Sequence, residues 1–382
     1  MSYKILQNIP VWGVGLDENA MVQIQRCLIN GKHAALMADH HQGYSMPIGG
    51  VVAYEGLVSP SGVGYDIACG NKAVKLEMNA KYARENIKAL TDSIFNGIPM
   101  GKGICNSKVI DHEVFDNDLW NEKPCSDSLK VAREQLGSLG AGNHYIDIFV
   151  DEEESVWVGV HCGSRKFGHN IATFFLRATG AKDGIHASPC LLKEDSYFGK
   201  MYIDCMNLAG EYAYASRNWM CDEISKILGS KITEEVHNHH NFAWKEKLSE
   251  KEYWVVRKGS TPARPGQKCF IGGSMGDISV IVEGTECEEA RLSMYSAPHG
   301  AGRVMGRMEA LGKIAKDGTV KREPKVTQEM MDSWLKDKNV YLRGGGRDES
   351  PHAYRRLPEV IEQHDYLKTL HTLTPIGVCM AP

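Results

Sequence analysis

The sequence has no long apolar run, no block of like charge, no low-complexity stretch and no repeated period, and each absence removes a class of protein. Without an uninterrupted apolar stretch of about 20 residues, no segment reads as a bilayer-spanning helix. Residues 1–15 alternate apolar and polar side chains, with neither a basic start followed by an apolar stretch nor a small-residue cleavage site, so no secretory signal is read there. No run rich in Pro, Ser and Gly divides the 382 residues, and one compact unit over residues 1–382 is expected. A basic excess is missing as well: 44 Lys and Arg stand against 48 Asp and Glu, for a net charge of -4. That balance excludes a protein that coats nucleic acid through overall charge, so any RNA contact would be local. The 11 cysteines are odd in number and lack the regular spacing of a disulfide scaffold. A chain of this size needs no staples, and a reducing, cytoplasmic compartment with mostly free thiols is the expectation.

What is present is a mixture of helical and strand patterns. Met21, Ile24, Cys27 and Leu28 recur at helical spacing and predict a helix over residues 19–31, with a second over residues 80–96. Between Leu192 and Leu228 runs a long apolar face at helical period. From Ala34 to Gly70, short apolar runs alternate with glycines, which predicts strands joined by tight turns. "AVKLEM", "VWVGVHCGSR", "YWVVRKGS", "CFIGGSM" and "DISVIVEG" also read as strands. Because the two patterns mix without regular alternation, the fold class is α+β.

Five polar clusters stand at the ends of apolar runs, where a rigid scaffold presents functional groups. They are Asp66 with Cys69, Asn143 with His144, His161, His240 and His299. Alone, each histidine is more often a structural or surface residue than a ligand, and a lone buried cysteine is more often packing. Together, a carboxylate, a thiolate and several imidazoles are the common side-chain ligands of transition metals, and ligand softness favours zinc. Asp66 and Cys69 are close enough in sequence for one turn to aim both at one ion. In "HNHHN" a solvated helix end is expected for His237 and His239. "GGSMG" and "HGAGR" are glycine-rich turns suited to phosphate oxygens, although neither has the P-loop pattern. Residues 257–268 hold Arg257, Lys258, Arg264 and Lys268 with no acid, and residues 312–325 are also basic; both suit RNA phosphate contacts.

These clusters, with the segments around them, resemble the RtcB RNA ligases in order along nearly the whole chain. The matching segments are "MADHHQGYSMPIGGV", "SPSGVGYDIACG", "GSLGAGNHYID", "HCGSRKFGH", "HHNF", "RKGST", "GGSMGDIS", "PHGAGR", "DESPHAY" and "PIGV". The resemblance implies a single RtcB-like α+β domain, with mixed sheets around a deep site for two manganese ions and GTP. Cys69 would bridge the ions, His161 and His240 completing one site and Asp66 and His144 the other. His299 would be the nucleophile. The nucleotide pocket would include Asn143, Asp147, Asn241, Gly273, Ser274, Met275, Ser279, Gly300, Ala301, Gly302 and Tyr354, with His144 and His240 at its metal end. His299 would attack the α-phosphorus of GTP and release pyrophosphate, a step within the reach of a neutral imidazole. An RNA 2′,3′-cyclic phosphate would be opened to a 3′-phosphate, which takes the guanylyl group before the 5′-hydroxyl displaces GMP. Cleaved tRNA or rRNA would be the partner, with no membrane involved; the sequence names neither the particular RNA nor an activating protein or translation factor.

The chain also departs from the family's pattern. Met380 stands where a lysine usually touches the guanine nucleotide, which bears on nucleotide choice, and Asp147 stands where glutamate is usual. Cys162 replaces a serine or threonine, and Gly272 a proline. Two other readings stay open: a metal-dependent phosphoesterase that opens cyclic phosphates without guanylylation, and a non-catalytic RNA-binding paralogue.

Overall fold

The computed structural model of the chain describes residues 3–182, 184–314 and 319–382. Two sheets dominate. The first runs Tyr3–Leu6, Ile9–Trp12, His33–His41, Ile48–Tyr54, Lys251–Lys258, Asn241–Leu248. Along the second, Ile232–His239, Gly70–Asn79, Ser155–Cys162, Tyr145–Val150, Leu367–Met380, Ser279–Gly284 and Lys268–Ile271 lie side by side, with Tyr341–Arg343 pairing parallel to Leu367–Met380. Pairing is otherwise antiparallel apart from the Val11 to Leu36 bridge in the first sheet, so the sheets are mixed and the α+β class holds.

Both sheets are covered on two faces, and alternation along the strands shows why. Ala34, Leu36, Val52 and Tyr54 enter the core beneath the long helix, while Ala35, Met37, Val51 and Ala53 enter a second core on the opposite face. In the other sheet Val74, Val158 and Ile146 face one core, and Ala73, Trp157 and Phe149 face another.

The expected helix over 192–228 is found as Tyr197–Leu228, capped by Ser196 accepting from the Gly199 N–H and ended by Gly229 in the left-handed region. The one over 19–31 is Glu18–Leu28, capped by Asp17. Residues 80–96 form two helices, Ala80–Glu85 and Ile87–Gly97, separated at Asn86, whose φ of -112° breaks the helical path. Within the strand-and-turn stretch 34–70 lies a short helical turn, Pro60–Val63, which starts with Ser59 accepting from the Gly62 N–H.

The two sheets meet at His240. This residue follows the strand Ile232–His239 of the second sheet and precedes Asn241–Leu248 of the first. Its N–H donates to the Cys69 carbonyl and its carbonyl accepts from the Ser260 N–H. The seam is where the functional side chains gather.

Candidate metal and nucleotide site

Strand register brings the ligand candidates to one end of the second sheet. Gly70, next to Cys69, pairs with both Cys162 and His239, and Tyr145, next to His144, pairs with His161. The turn Asp66–Cys69 is closed by the Cys69 N–H donating to the Asp66 carbonyl and is tied to the first sheet through the Ala68 N–H and the Asn241 carbonyl. Ala68 takes a φ of 58° in this turn.

The Cys69 thiol lies 3.1 Å from His161 Nε2 and 3.6 Å from His144 Nε2, and Asp66 Oδ2 is 3.0 Å from the same His144 nitrogen. Ligands sharing one tetrahedral ion, with metal–sulfur and metal–nitrogen distances of about 2.3 and 2.1 Å, stand about 3.5 Å apart. The spacing therefore fits a shared cation, and the donor set of thiol, imidazole and carboxylate fits a transition metal. His240 extends the group: its ring centroid is 5.0 Å from that of His161 and 4.8 Å from that of His299. Burial, then the neighbouring imidazoles, push His161 and His240 well below the usual histidine range, which leaves them neutral and available as donors. Burial, then Asp66, push the Cys69 thiol up, so an incoming cation has a proton to displace. Burial alone would raise Asp66, but its hydrogen bond with His144 outweighs this and holds it below its ordinary value. Gly140 gives His144 its room: a Cβ there would lie 1.9 Å from the ring's Nδ1.

His299 follows the short strand Ser296–Pro298. Its Nδ1 is 2.6 Å from Oδ2 of Asp39, which also accepts from its backbone N–H at 3.1 Å. A carboxylate only accepts, so Nδ1 carries the proton, and whenever the ring holds only that one proton the lone pair is on Nε2. Burial would raise the Asp39 carboxyl, but the hydrogen bond and charge of His299 prevail and hold it down. Asn71 Nδ2 donates to the His299 carbonyl at 3.3 Å, fixing the loop to the strand Gly70–Asn79.

A cavity of about 280 Å³ opens beside these groups. Asp66, Cys69, His161, His240 and His299 line one part of it, with Asn143, Asn241, Gly300, Ala301 and Gly302 adjoining. The lining also takes in Asp147, Gly273, Ser274, Met275, Tyr354 and Met380. Three atoms on this wall, Tyr145 Oη, Asp147 Oδ1 and Ser274 Oγ, are buried without a hydrogen-bond partner among the described residues. Such atoms are what a polar ligand satisfies. Burial raises the Asp147 carboxyl well above the usual range. Met275, Val378 and Met380 make the neighbouring surface apolar, packed with Tyr145 and Met331. Ser279 acts from behind the wall, its Oγ accepting from the Gly273 N–H at 2.9 Å. Tyr354 is held by Arg303, 2.8 Å from its hydroxyl, and by Glu349.

One sequence expectation is corrected. His237 and His239 do not end a helix: they lie on the strand Ile232–His239, where His239 is buried and both rings accept from Arg217 of the long helix. The basic stretch 257–268 divides: Arg257 and Lys258 are buried, whereas Arg264 is partly exposed and Lys268 exposed. Arg257 is fully buried against Glu246, Arg264 pairs with the same carboxylate, Lys258 donates to the carbonyls of Tyr44 and Ser61, and Lys268 pairs with Glu234. Of the second basic stretch, residues 315–318 lie outside the described residues; Lys313, Lys321 and Arg322 are exposed, and Lys325 pairs with Glu309. Asp39 went unread, although one acid inside the apolar run "HAALMADHH" is a signal that it has a specific partner.

Buried sulfur, nitrogen and oxygen donors beside glycine turns and a cavity with unpartnered polar walls define an α+β protein with a metal-type centre. The family model described as tRNA-splicing ligase RtcB matches residues 21–381. Among similar proteins, the RNA-splicing ligase RtcB of Escherichia coli (strain K12) is 31% identical, with all of both chains covered. The tRNA-splicing ligase RtcB of Pyrobaculum aerophilum is 31% identical over 90% of this chain and 86% of its own, and the RNA-splicing ligase RtcB homolog 1 of Entamoeba dispar 27% over 85% and 74%. The chain belongs to the RtcB family of RNA ligases. No helix among the described residues is long and apolar enough to cross a membrane.

Proposed function

We propose that the chain joins RNA 2′,3′-cyclic phosphate or 3′-phosphate ends to 5′-hydroxyl ends, using GTP and two manganese ions, through a guanylyl group carried on His299. The observation that carries this reading is the Asp39–His299 pair: the carboxylate takes Nδ1 and leaves the nitrogen opposite free, in a ring whose centroid is 4.8 Å from that of His240 at the edge of the cavity. Cys69, Asp66, His144, His161 and His240 would hold the ions, which supply Lewis acidity toward phosphoryl oxygens.

In the first step His299 Nε2 attacks the α-phosphorus of GTP; a nitrogen–phosphorus bond forms and pyrophosphate leaves. Asp39 stabilises the positive charge that develops on the ring. The glycine turns at Gly273 and Gly300 would lie against the phosphate chain, and Asp147, Ser274, Met275, Met380 and Tyr354, which line the same cavity, would enclose the base and sugar. The guanylyl group then passes to the RNA 3′-phosphate, freeing His299, and the 5′-hydroxyl displaces GMP. The whole chain would act as one catalytic unit, since the same cavity is lined from Asp66 to Met380. Cleaved tRNA or rRNA fragments in the cytoplasm suit the activity.

The test is to incubate wild type and His299→Ala with manganese, α-labelled GTP and an RNA bearing cyclic phosphate and 5′-hydroxyl ends. Protein labelling and a sealed product, both absent in the variant, are expected. Hydrolysis of the RNA end without labelling would instead support a phosphoesterase, a reading favoured by the apolar Met380 on the cavity wall.

A further inference from the structure

The helix Tyr197–Leu228 contributes nothing to the cavity wall, yet its Arg217 is fully buried beneath the ligand cluster. Its guanidinium donates from Nη1 to the carbonyls of Ala68, at 3.0 Å, and Cys162, at 2.5 Å. Nε donates to His237 Nε2 at 2.7 Å, and Nη2 lies 2.9 Å from His239 Nδ1. Among the described residues these partners are two carbonyls and two imidazoles, with no carboxylate. Burying a permanent cation on neutral acceptors alone is costly, and a larger apolar side chain would fill the same space without that cost.

Three of the four acceptors sit beside a candidate ligand. Ala68 immediately precedes Cys69, Cys162 immediately follows His161, and His239 immediately precedes His240. The three come from separate segments whose strands lie side by side, with Gly70 paired to both Cys162 and His239. The guanidinium lies directly under that junction: a Cβ on Gly70 would stand 3.1 Å from Arg217 Cζ. Its plane is fixed in turn by the Tyr214 ring 5.3 Å away, and Tyr214 also packs on His237 and His239. A planar group with a rigid fork can set the relative position of three backbones at once; an ammonium on a flexible stem cannot.

We infer that Arg217 is a positioning residue: one guanidinium locks the backbone next to Cys69, His161 and His240 and so sets the spacing of the metal ligands. This rests on the metal-centre reading above. Arg217 touches neither nucleotide nor RNA; it acts through the three ligands, as groups behind a metal's ligands commonly do, with effects on metal affinity of about 10- to 100-fold.

The experiment compares wild type with Arg217→Lys, using the full chain freed of metal. Three quantities are read: Mn²⁺ dissociation constant, the visible absorption of the Co²⁺-loaded protein, which reports thiolate ligation and coordination geometry, and the midpoint of unfolding without metal. In the lysine variant Mn²⁺ affinity should fall at least tenfold and the Co²⁺ bands should shift, in a protein that still folds. Protein labelling by GTP should slow, with kcat falling and KM for GTP held within about twofold. Wild-type metal affinity and an unaltered Co²⁺ spectrum in the variant, accompanied only by a lower midpoint, would overturn the inference and leave Arg217 a packing residue. If the lysine variant does not fold, His237→Ala is measured in its place; it keeps the charge but removes one acceptor. A roughly threefold or greater loss of Mn²⁺ affinity is then expected, and none at all decides against the inference. Failure of wild type itself to bind Mn²⁺ or Co²⁺ would instead refute the metal-centre reading, a distinct outcome.

Discussion

Replacing Asp39 by asparagine isolates the contribution of one carboxylate charge to the reactivity of His299. Asp39 is fully buried, and its Oδ2 accepts two N–H groups from His299, one from the ring at 2.6 Å and one from the backbone at 3.1 Å. With two donors aimed at one oxygen, the asparagine keeps its carbonyl in that place, so the ring's tautomer and orientation survive and only the charge is lost. A hydrogen bond to a charged group contributes about 1.5–3 kcal/mol and a neutral one about 0.5–1.5, a difference of about 1–2 kcal/mol. The charge matters most as the ring becomes cationic during attack on phosphorus, so the difference falls on the barrier. At one factor of ten per 1.36 kcal/mol, protein labelling should slow by about 5- to 30-fold. Single-turnover labelling with α-labelled GTP measures this directly, with the unfolding midpoint as a control for stability. A labelling rate within twofold of wild type, in a folded protein, would refute the argument that Asp39 polarises the nucleophile. A fall of about 10⁴ would mean that the amide nitrogen faces the ring and enforces the wrong tautomer.

Three other outcomes follow from buried contacts. Gly140→Ala places a methyl 1.9 Å from His144 Nδ1 and should displace that ring, lowering Mn²⁺ affinity by about tenfold or more in equilibrium dialysis. Glu246→Gln leaves the fully buried Arg257 without its counter-charge and should lower the unfolding free energy by about 2–4 kcal/mol in urea titrations. His364 accepts from the Ala38 N–H, and burial lowers its pKa from 6.5 to about 3. Because its folded pKa lies below the unfolded one, the unfolded chain takes up the proton first, and stability falls as pH drops from 6.5 toward 3. Between pH 6.5 and 5 this one group should account for a loss of about 2 kcal/mol, which denaturant titrations at the two pH values should find missing in His364→Gln.

The candidate ligands stood out because carboxylate, thiol and imidazole groups cluster at the ends of apolar runs. Asp66, Cys69, His144, His161 and His240 could be named from sequence, and the resemblance grouped them. What failed was reading position from charge. Arg257 and Lys258 look like a surface patch on composition, but they continue the apolar strand begun by Tyr253, Trp254, Val255 and Val256 and share its burial. His237 and His239 looked solvated because the segment follows a helix; in a strand, alternate residues share a face, and that puts both on Arg217. Asp39 and His299 are 260 residues apart in the chain, and no local pattern ties them. Contacts of that range are set by how the sheets meet, so a lone acid in an apolar run marks that a partner exists without saying where.

The same seam explains how so many ionisable groups share one buried place. Burial, reinforced by Asp66, keeps the Cys69 thiol protonated, and burial with the neighbouring imidazoles keeps His161 and His240 neutral. The carboxylates that remain ionised are each paired with a histidine, Asp66 with His144 and Asp39 with His299. Those pairs divide the labour. In the first, the histidine nitrogen facing the carboxylate also faces the thiol, so a cation arriving there meets oxygen, nitrogen and sulfur together. In the second, the carboxylate takes the proton-bearing nitrogen, a pairing that suits the proposed nucleophile. One residue type in two hydrogen-bonding contexts would thus supply both the metal centre and the proposed nucleophile.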